Sequence, residues 1–372
     1  MILRPKLLIA TDSFLPRWDG ISRFLLDILP VLVNKFDITI LCPKFNEELK
    51  LDQRLRIIRL PIRSSRQGNY NKVNTKPISK IIEDSNLIFV QSLGPIGKTC
   101  IEEANKIKKP VIANVHSLYW EILSKNRFLE PILRMFYLFE AKKIYKKCSL
   151  IIVPSIHTAK ILEREGIKTP KVVINAGIDT DKFAPAKNKE NAKEFVGIDN
   201  TRKVIGYVGR LGKEKDLMTL YDAFKRLEAR HNNLFLLIIG KGNRKLERVL
   251  KKEENIRLIK STNKIVPYLQ AMDIFVMPSL TEVSSIATLE AMSCALPVLT
   301  TKVGDLVKYI KDKENGLFFS KKNSVLLMLK LGWLLREDYV RNNIGLNARE
   351  TVQNTFKLED TRKKVKRVLE GF

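Results

Sequence analysis

The chain has 372 residues, 45% of them hydrophobic and 29% charged, a globular composition long enough for two ordinary domains, each with its own core. Its 67 Lys and Arg against 40 Asp and Glu give a formal charge of +27, which points to an anionic partner (nucleic acid, phospholipid or phosphorylated substrate) unless a Lys- and Ile-rich coding bias has raised the charge everywhere. No apolar run approaches the roughly eighteen residues of a membrane-spanning helix, and Cys42, Cys100, Cys148 and Cys294 with only three histidines show no metal-ligand spacing, which argues against structural zinc and suits a reducing cytosol.

In chain order, MILRPKLLIATDSF has too short an apolar stretch for a signal peptide and reads as a first strand, KLLIA. A helix is predicted over 21–34, apolar at Phe24, Leu25, Ile28, Leu29 and Leu32. The strand candidates DITILC, RIIRL, LIFVQ, PVIANV, SLIIV and KVVIN follow, alternating with helical stretches as in parallel α/β units. Residues 53–82 carry Arg54, Arg56, Arg59, Arg63, Arg66, Lys72, Lys76 and Lys80 and no acidic residue, either a site for an anionic membrane or lipid, or a solvated basic loop. Residues 118–147 are amphipathic, with Leu129, Ile132, Leu133, Phe136 and Ile144 near one face, predicted as core. Lys142, Lys143, Lys146 and Lys147 at its end complement the helix dipole without a partner.

A polar stretch containing 186–202 is the linker candidate. After it the pattern restarts with KVIGYVG, LFLLIIG, IRLI, IFVMPS, PVLTT and GLFF. Two successive runs of one design predict an α/β protein of two Rossmann-like domains facing across a cleft. The expected boundaries are 1–185, a linker at 186–202, 203–355, and a basic closing helix at 356–372 that packs back towards the first domain.

The segment DIFVMPSLTEVSSIATLEAMSCALPVLTT reads as strand, loop, helix from about residue 285 to 294, and strand. Loops beyond the carboxyl ends of parallel strands bind ligands in such folds, and the helix N-terminus offers free N–H groups and a positive dipole end to a phosphate. Ser284 or Ser285 can cap that helix or turn a hydroxyl to the phosphate. Glu282 lies in the loop and Glu290 on the second turn; both could face one cleft, or Glu290 could belong to a solvated face. In GYVGRLGKEKD, Arg210 and Lys215 follow a strand and can grip a diphosphate, or simply stand on a solvated basic loop. Gly20, where the first helix opens, allows close backbone approach to phosphate or sugar, as in any tight strand-to-helix turn.

Together these elements, from Leu7 to about Phe319, resemble the retaining glycosyltransferases of family 4, which have the GT-B fold. The glutamate pair running on into EAMSCALPV is the most specific part; Arg210 with Lys215, and VVINAGIDTDKF with Asn175, Gly177, Asp179 and Phe183, also match. The resemblance implies that Glu290 binds the ribose hydroxyls and Glu282 the donor sugar. Arg210, Lys215 and the amides of Ser284, Ser285 and Ile286 would carry the diphosphate leaving group, and His116 would stand near the donor sugar. It implies a nucleotide-sugar donor linked to uridine or guanosine diphosphate, no other cofactor, no metal ion, and no separate protein base. The acceptor expected is a lipid-linked or other glycan, met by a cytoplasmic protein peripheral on the inner face of the membrane. The sequence departs from the family pattern at Val283 and Ser285, at Asp19 before Gly20, before Asn175 where a proline is absent, and at Asp305 after Gly304. None of these removes a charged site residue, although the sugar pocket is expected to differ.

The rival from another class is a basic GT-B-like protein that binds nucleic acid or another anionic partner without transferase activity. No nucleic-acid motif is visible and the basic residues of 53–82 are not interleaved with aromatics, so no nucleic-acid partner is expected. An inactive relative would be expected to have lost some of Arg210, Lys215, Glu282 and Glu290. A phosphorylase is disfavoured because no lysine stands in a clear cofactor-anchoring context, and an epimerase because the glutamate pair fits transfer better.

Overall fold

In a computed structural model that describes residues 4–45, 52–64, 72–76, 78–118, 120, 130–260, 262 and 264–372, the alternating apolar runs form two α/β units. Unit 1 comprises residues 1–176 and 359–372, and unit 2 comprises 177–358. Among the described residues no helix is long and apolar enough to cross a membrane.

Unit 1 is built on a parallel sheet of β1 (Lys6–Ala10), β2 (Asp37–Pro43), β3 (Leu55–Leu60), β6 (Leu87–Val90), β7 (Val111–Asn114), β8 (Leu150–Val153) and β9 (Lys171–Val173), in the order β3-β2-β1-β6-β7-β8-β9. A short antiparallel pair, β4 (Ile62–Ser64) and β5 (Lys72–Val73), stands apart from it. Leu7 pairs with Ile38 on one side and Leu87 on the other, so the strand order reverses between β1 and β6. The helices are α1 (Gly20–Leu32), α2 (Ile78–Glu83), α3 (Pro95–Lys106), α4 (Glu130–Tyr145) and α5 (Ile156–Arg164). Leu7, Ile9, Leu25, Ile28, Ile38, Phe89 and Ile112 close one core. The strands read as continuous apolar runs because both faces of the sheet are covered.

Unit 2 holds β10 (Lys203–Val208), β11 (Leu234–Ile239), β12 (Ile256–Ile259), β13 (Ile274–Met277), β14 (Val298–Thr301) and β15 (Leu317–Phe319), in the order β12-β11-β10-β13-β14-β15. This is the doubly wound order, with its switch point between β10 and β13. Its helices are α6 (Lys189–Phe195), α7 (Leu217–Glu228), α8 (Arg244–Leu250), α9 (Val266–Ala271), α10 (Ile286–Ser293), α11 (Leu306–Tyr309), α12 (Ser324–Arg336) and α13 (Asp338–Thr355). Leu236, Phe275, Leu289, Met292, Leu299 and Leu331 are fully buried in its core, each worth about 1.5–3 kcal/mol of removed apolar surface. The last helix, α14 (Leu358–Glu370), returns to unit 1, where Val365 and Leu369 enter the core. Thr361 Oγ1 donates to the Asn175 carbonyl at 2.8 Å and Arg362 Nε to the Asp27 carbonyl at 2.7 Å.

Two sequence expectations differ from what is observed. The change of unit falls at 176/177, ahead of the expected linker at 186–202. That stretch belongs to unit 2: Asn188 caps α6 by accepting from Asn191 N–H at 2.8 Å, and Lys193 pairs with Asp273 at 2.9 Å with both side chains under 10% exposed. Its polarity serves an ion-paired surface helix. The stripe predicted as core in 118–147 divides: Ile144 is buried, whereas Ile132 and Phe136 are exposed, and Leu129 lies outside the described residues. In the basic stretch 53–82, Arg54 pairs with Asp52 at 2.6 Å and Arg59 donates to the Leu15 carbonyl at 2.9 Å. Arg56, Lys76 and Lys80 are exposed; Arg66 and the side chains of Arg63 and Lys72 lie outside the described residues.

Candidate functional site

In unit 2 the loops after β10 and β13 flank the switch point, and they carry most of the expected site residues. The loop after β10 turns through a 3-10 turn at Lys213–Lys215. Arg210 Nη2 donates to Glu214 Oε1 at 2.6 Å, and the Tyr207 hydroxyl donates to the Arg210 carbonyl at 2.8 Å. Leu280 N–H donates to the Glu214 carbonyl at 2.8 Å, which ties this loop to the one after β13. Across that tie, Lys215 Nζ donates to Glu282 Oε1 at 2.5 Å, and Ser279 Oγ donates to the same oxygen at 2.8 Å. The Lys215 and Glu282 side chains are 15% and 9% exposed, so solvent screens the pair little. Arg210 keeps 37% of its side chain exposed.

The loop carrying Glu282 is held from the far side. Gly304 has φ +52, and a Cβ there would lie 2.2 Å from the Glu282 carbonyl oxygen. Asp305 N–H donates to the Val283 carbonyl at 2.9 Å. Close backbone approach explains why glycine stands at 304, and Asp305 is accommodated at the N-cap of α11 with an ordinary helical φ of −78.

Ser285 is the N-cap of α10, but its side chain caps no backbone amide; its hydroxyl accepts from Thr288 Oγ1 at 2.8 Å. This corrects the capping role open to Ser285 in the sequence. The first amides of α10, Ile286 among them, lack intrahelical acceptors and form the positive end of the helix. Ser284 precedes them, half-buried. Glu290 is 2% exposed on the second turn, which excludes the solvated face. The thiol of Cys294 is pushed up to about 12, first by burial and then by the Glu290 charge. Arg210, Lys215, Glu282 and the 284–286 turn are thus gathered at the carboxyl ends of β10 and β13, with Glu290 in the helix behind them.

Gly20 and His116 stand in unit 1. Gly20 is the exposed first residue of α1, whose N-cap is Asp19; that carboxylate accepts from Ile21 N–H and Ser22 N–H, both at 3.1 Å. His116, beyond β7, packs edge-on against Phe24 with centroids 5.1 Å apart. Its Nε2 lies 3.0 Å from Gln91 Oε1; because that oxygen only accepts, Nε2 carries the proton and Nδ1 is left as acceptor. Burial holds the imidazole at about 4, against the opposing charge of Asp19, so it is neutral at pH 7. A small pocket lined by Ile21, Gln91, Ser92, Asn114, His116 and Tyr145 opens here.

Sequence reasoning missed Asp12, beside the switch point of unit 1 between β1 and β6. Buried after β1, it accepts from Ser92 Oγ at 2.8 Å, Ile96 N–H at 2.8 Å and Gly97 N–H at 3.2 Å, capping α3 from another strand. A Cβ on Gly94 would lie 2.4 Å from its carboxyl carbon. Burial nevertheless pushes Asp12 up to about 6. The pair TDS after β1 and SLGPIG after β6 was the available signal. Glu214 and Ser279, which orient Arg210 and Glu282, carried none.

Among the described residues no group of three or more His, Cys, Asp or Glu side chains is gathered to hold a metal ion.

A family model described as "Glycosyl transferases group 1" matches residues 188–351, and one described as "Glycosyltransferase Family 4" matches residues 18–182. The chain is 27% identical over 231 residues to the capsular polysaccharide biosynthesis glycosyltransferase CapM of Staphylococcus aureus, covering 59% of this chain and 60% of CapM. It is 27% identical to the UDP-Gal:alpha-D-GlcNAc-diphosphoundecaprenol alpha-1,3-galactosyltransferase of Escherichia coli, covering 97% and 96% of the two chains. The fold matches sucrose-phosphate synthase of Thermosynechococcus elongatus with a TM-score of 0.79 at 18% identity, over 99% of both chains.

Proposed function

As this chain belongs to the group 1 glycosyltransferases, we propose that it moves a sugar, with retention, from a uridine or guanosine diphosphate donor to a lipid-linked or other glycan acceptor at the cytoplasmic face of a membrane. The observation that carries this reading is the Lys215–Glu282 pair beside Arg210 and the amide end of α10. When the bond from the sugar to the diphosphate breaks, negative charge grows on the departing phosphate. Fixed cations and helix amides aimed at that position lower the barrier because they need no reorganisation during the reaction. Each charge-assisted bond from Arg210 or Lys215 contributes on the order of 1.5–3 kcal/mol.

Lys215 has three donors and gives one to Glu282, so it can hold a phosphate oxygen while keeping the carboxylate in place. Glu282 Oε1 receives Lys215 and Ser279, which leaves Oε2 for a donor-sugar hydroxyl. Glu290 takes the ribose hydroxyls. The neutral His116 holds a sugar hydroxyl without adding charge. The acceptor attacks from the face the diphosphate leaves, and the leaving phosphate takes the acceptor proton. No separate protein base and no divalent metal are needed in this scheme. The Escherichia coli relative, matched over nearly its whole length, supports a UDP-linked donor and a diphosphoundecaprenol-linked acceptor by its own activity.

The test is transfer of labelled hexoses from UDP- and GDP-linked donors to a diphosphoundecaprenol-linked monosaccharide in excess EDTA, with the anomeric configuration read by NMR. Undiminished transfer with retained configuration supports the scheme. Transfer abolished by EDTA and restored by Mn2+ overturns metal independence, and an inverted product overturns the same-face attack.

A further inference from the structure

Helix α4 buries one face in unit 1 through Leu138, Ala141, Ile144 and Tyr145, and among the described residues a second apolar face stays uncovered. Ile132, Met135, Phe136 and Phe139 are 60%, 67%, 59% and 69% exposed. Their spacing of three, four and seven residues puts them in one stripe. Single exposed hydrophobics are ordinary, but four bulky ones in a contiguous row mark a contact surface. The stripe continues into Lys143 and Lys146, both exposed and, among the described residues, without a carboxylate in ion-pair range. Between 131 and 147 the chain has five cations and a single acid, Glu140, which Lys98 neutralises at 2.6 Å. Arg134 is taken by Glu165 at 2.5 Å, and Lys147 lies 3.9 Å from Glu102.

We infer that this face of α4 docks the protein on an anionic lipid bilayer. A bilayer with acidic headgroups offers an apolar layer to Met135, Phe136 and Phe139 and phosphates to Lys143 and Lys146, side by side and on a flat surface that a convex helix can meet. The net charge of +27 attracts the whole chain to the same surface. Docking deepens the acceptor reading above and rests on it for its purpose, since a lipid-linked acceptor is met in the bilayer. The membrane contact thereby moves from the basic stretch 53–82 to α4.

The experiment is flotation of the full chain with vesicles of phosphatidylcholine alone or mixed with phosphatidylglycerol, without donor. The wild type is expected to partition onto the mixed vesicles. Phe136→Ser/Phe139→Ser should weaken that partition about tenfold or more, from lost apolar burial. Lys143→Glu/Lys146→Glu should remove the preference for phosphatidylglycerol, about fivefold or more for each lysine. Both variants should keep the wild-type thermal midpoint and donor-induced shift, which shows that they fold. Equal wild-type partition onto both vesicles, or partition unchanged in both variants, overturns the inference. So does a wild-type dimer that Phe136→Ser/Phe139→Ser dissociates while no vesicles are bound, since the face then belongs to a second copy. Transfer to a detergent-dispersed acceptor by a protein that does not float overturns docking alone. A protein that floats without transferring supports docking and counts against the function proposed above.

Discussion

Lys215 and Glu282 hold each other at 2.5 Å across two loops, so removing either alters the other. Lys215→Ala deletes the cation proposed to hold the diphosphate and frees Glu282 to move; kcat is expected to fall by about 10²–10³, the usual range for a lost charge-stabilising donor, in steady-state assays with the donor saturating. Two buried titratable groups in unit 1 give a prediction of opposite slopes. Asp12 is raised to about 6 from 3.8, so the stability linked to its proton is present below about 3.8 and lost as pH rises through about 6. His116 is lowered to about 4 from 6.5, so stability is lost as pH falls from 6.5 towards 4, where only the unfolded chain takes up the proton. Each effect is on the order of 3 kcal/mol, and in the wild type the two oppose one another between pH 4 and 6.5. Thermal midpoints of Asp12→Asn should therefore rise with pH across that window and those of His116→Gln should fall; parallel profiles would contradict both assignments. The sequence singled out His116, after PVIANV, only through the family resemblance. Asp12 was not singled out, because its three donors come from Ser92, Ile96 and Gly97, about eighty residues away in the chain.

Among elements, the unit from β13 through α10 to β14 was readable because a strand, a polar loop and a short helix followed in a row, each with local signals. What packs against that loop was not readable. Gly304 comes from the turn after β14, and its missing Cβ makes room for the Glu282 carbonyl. Gly304→Ala should cost about 1–2 kcal/mol for a left-handed alanine and also displace Glu282. The expected result is a lower calorimetric midpoint together with a rise of about tenfold in donor KM; a change in the midpoint alone would show that the loop position does not govern donor binding. Helix α4 shows the complementary limit. Periodicity shows that a helix is amphipathic, but not that both of two apolar faces are filled, and here one remains exposed. Residues 186–202 misled for a related reason: composition reports surface polarity, whereas the Lys193–Asp273 pair that fixes α6 joins residues eighty apart.

At the scale of the whole molecule, each unit has its own parallel sheet, core and switch point, and the repeated strand pattern made that division legible. The position of the crossing at 176/177 was not, since it depends on which core claims Ile178 and Phe183. Because Val365 and Leu369 complete the core of unit 1, removing residues 359–372 should lower the stability of that unit by several kcal/mol, at about 2–5 for each large aliphatic lost. Hydrogen exchange should show the loss in β1, β2 and α1 and leave β10 to β15 protected. The proposed grip of unit 2 on a nucleoside diphosphate sugar rests on Arg210, Lys215, Glu282, Glu290 and the start of α10. Its most direct test is the thermal midpoint of the protein with a panel of UDP- and GDP-sugars in metal-free buffer, where a ligand at about a hundred times its Kd adds about 2.7 kcal/mol to the folded state. One donor is expected to raise the midpoint, and Arg210→Ala and Glu290→Ala are each expected to abolish the shift. A panel with no effect on the wild type, or a shift that both variants retain, would contradict it.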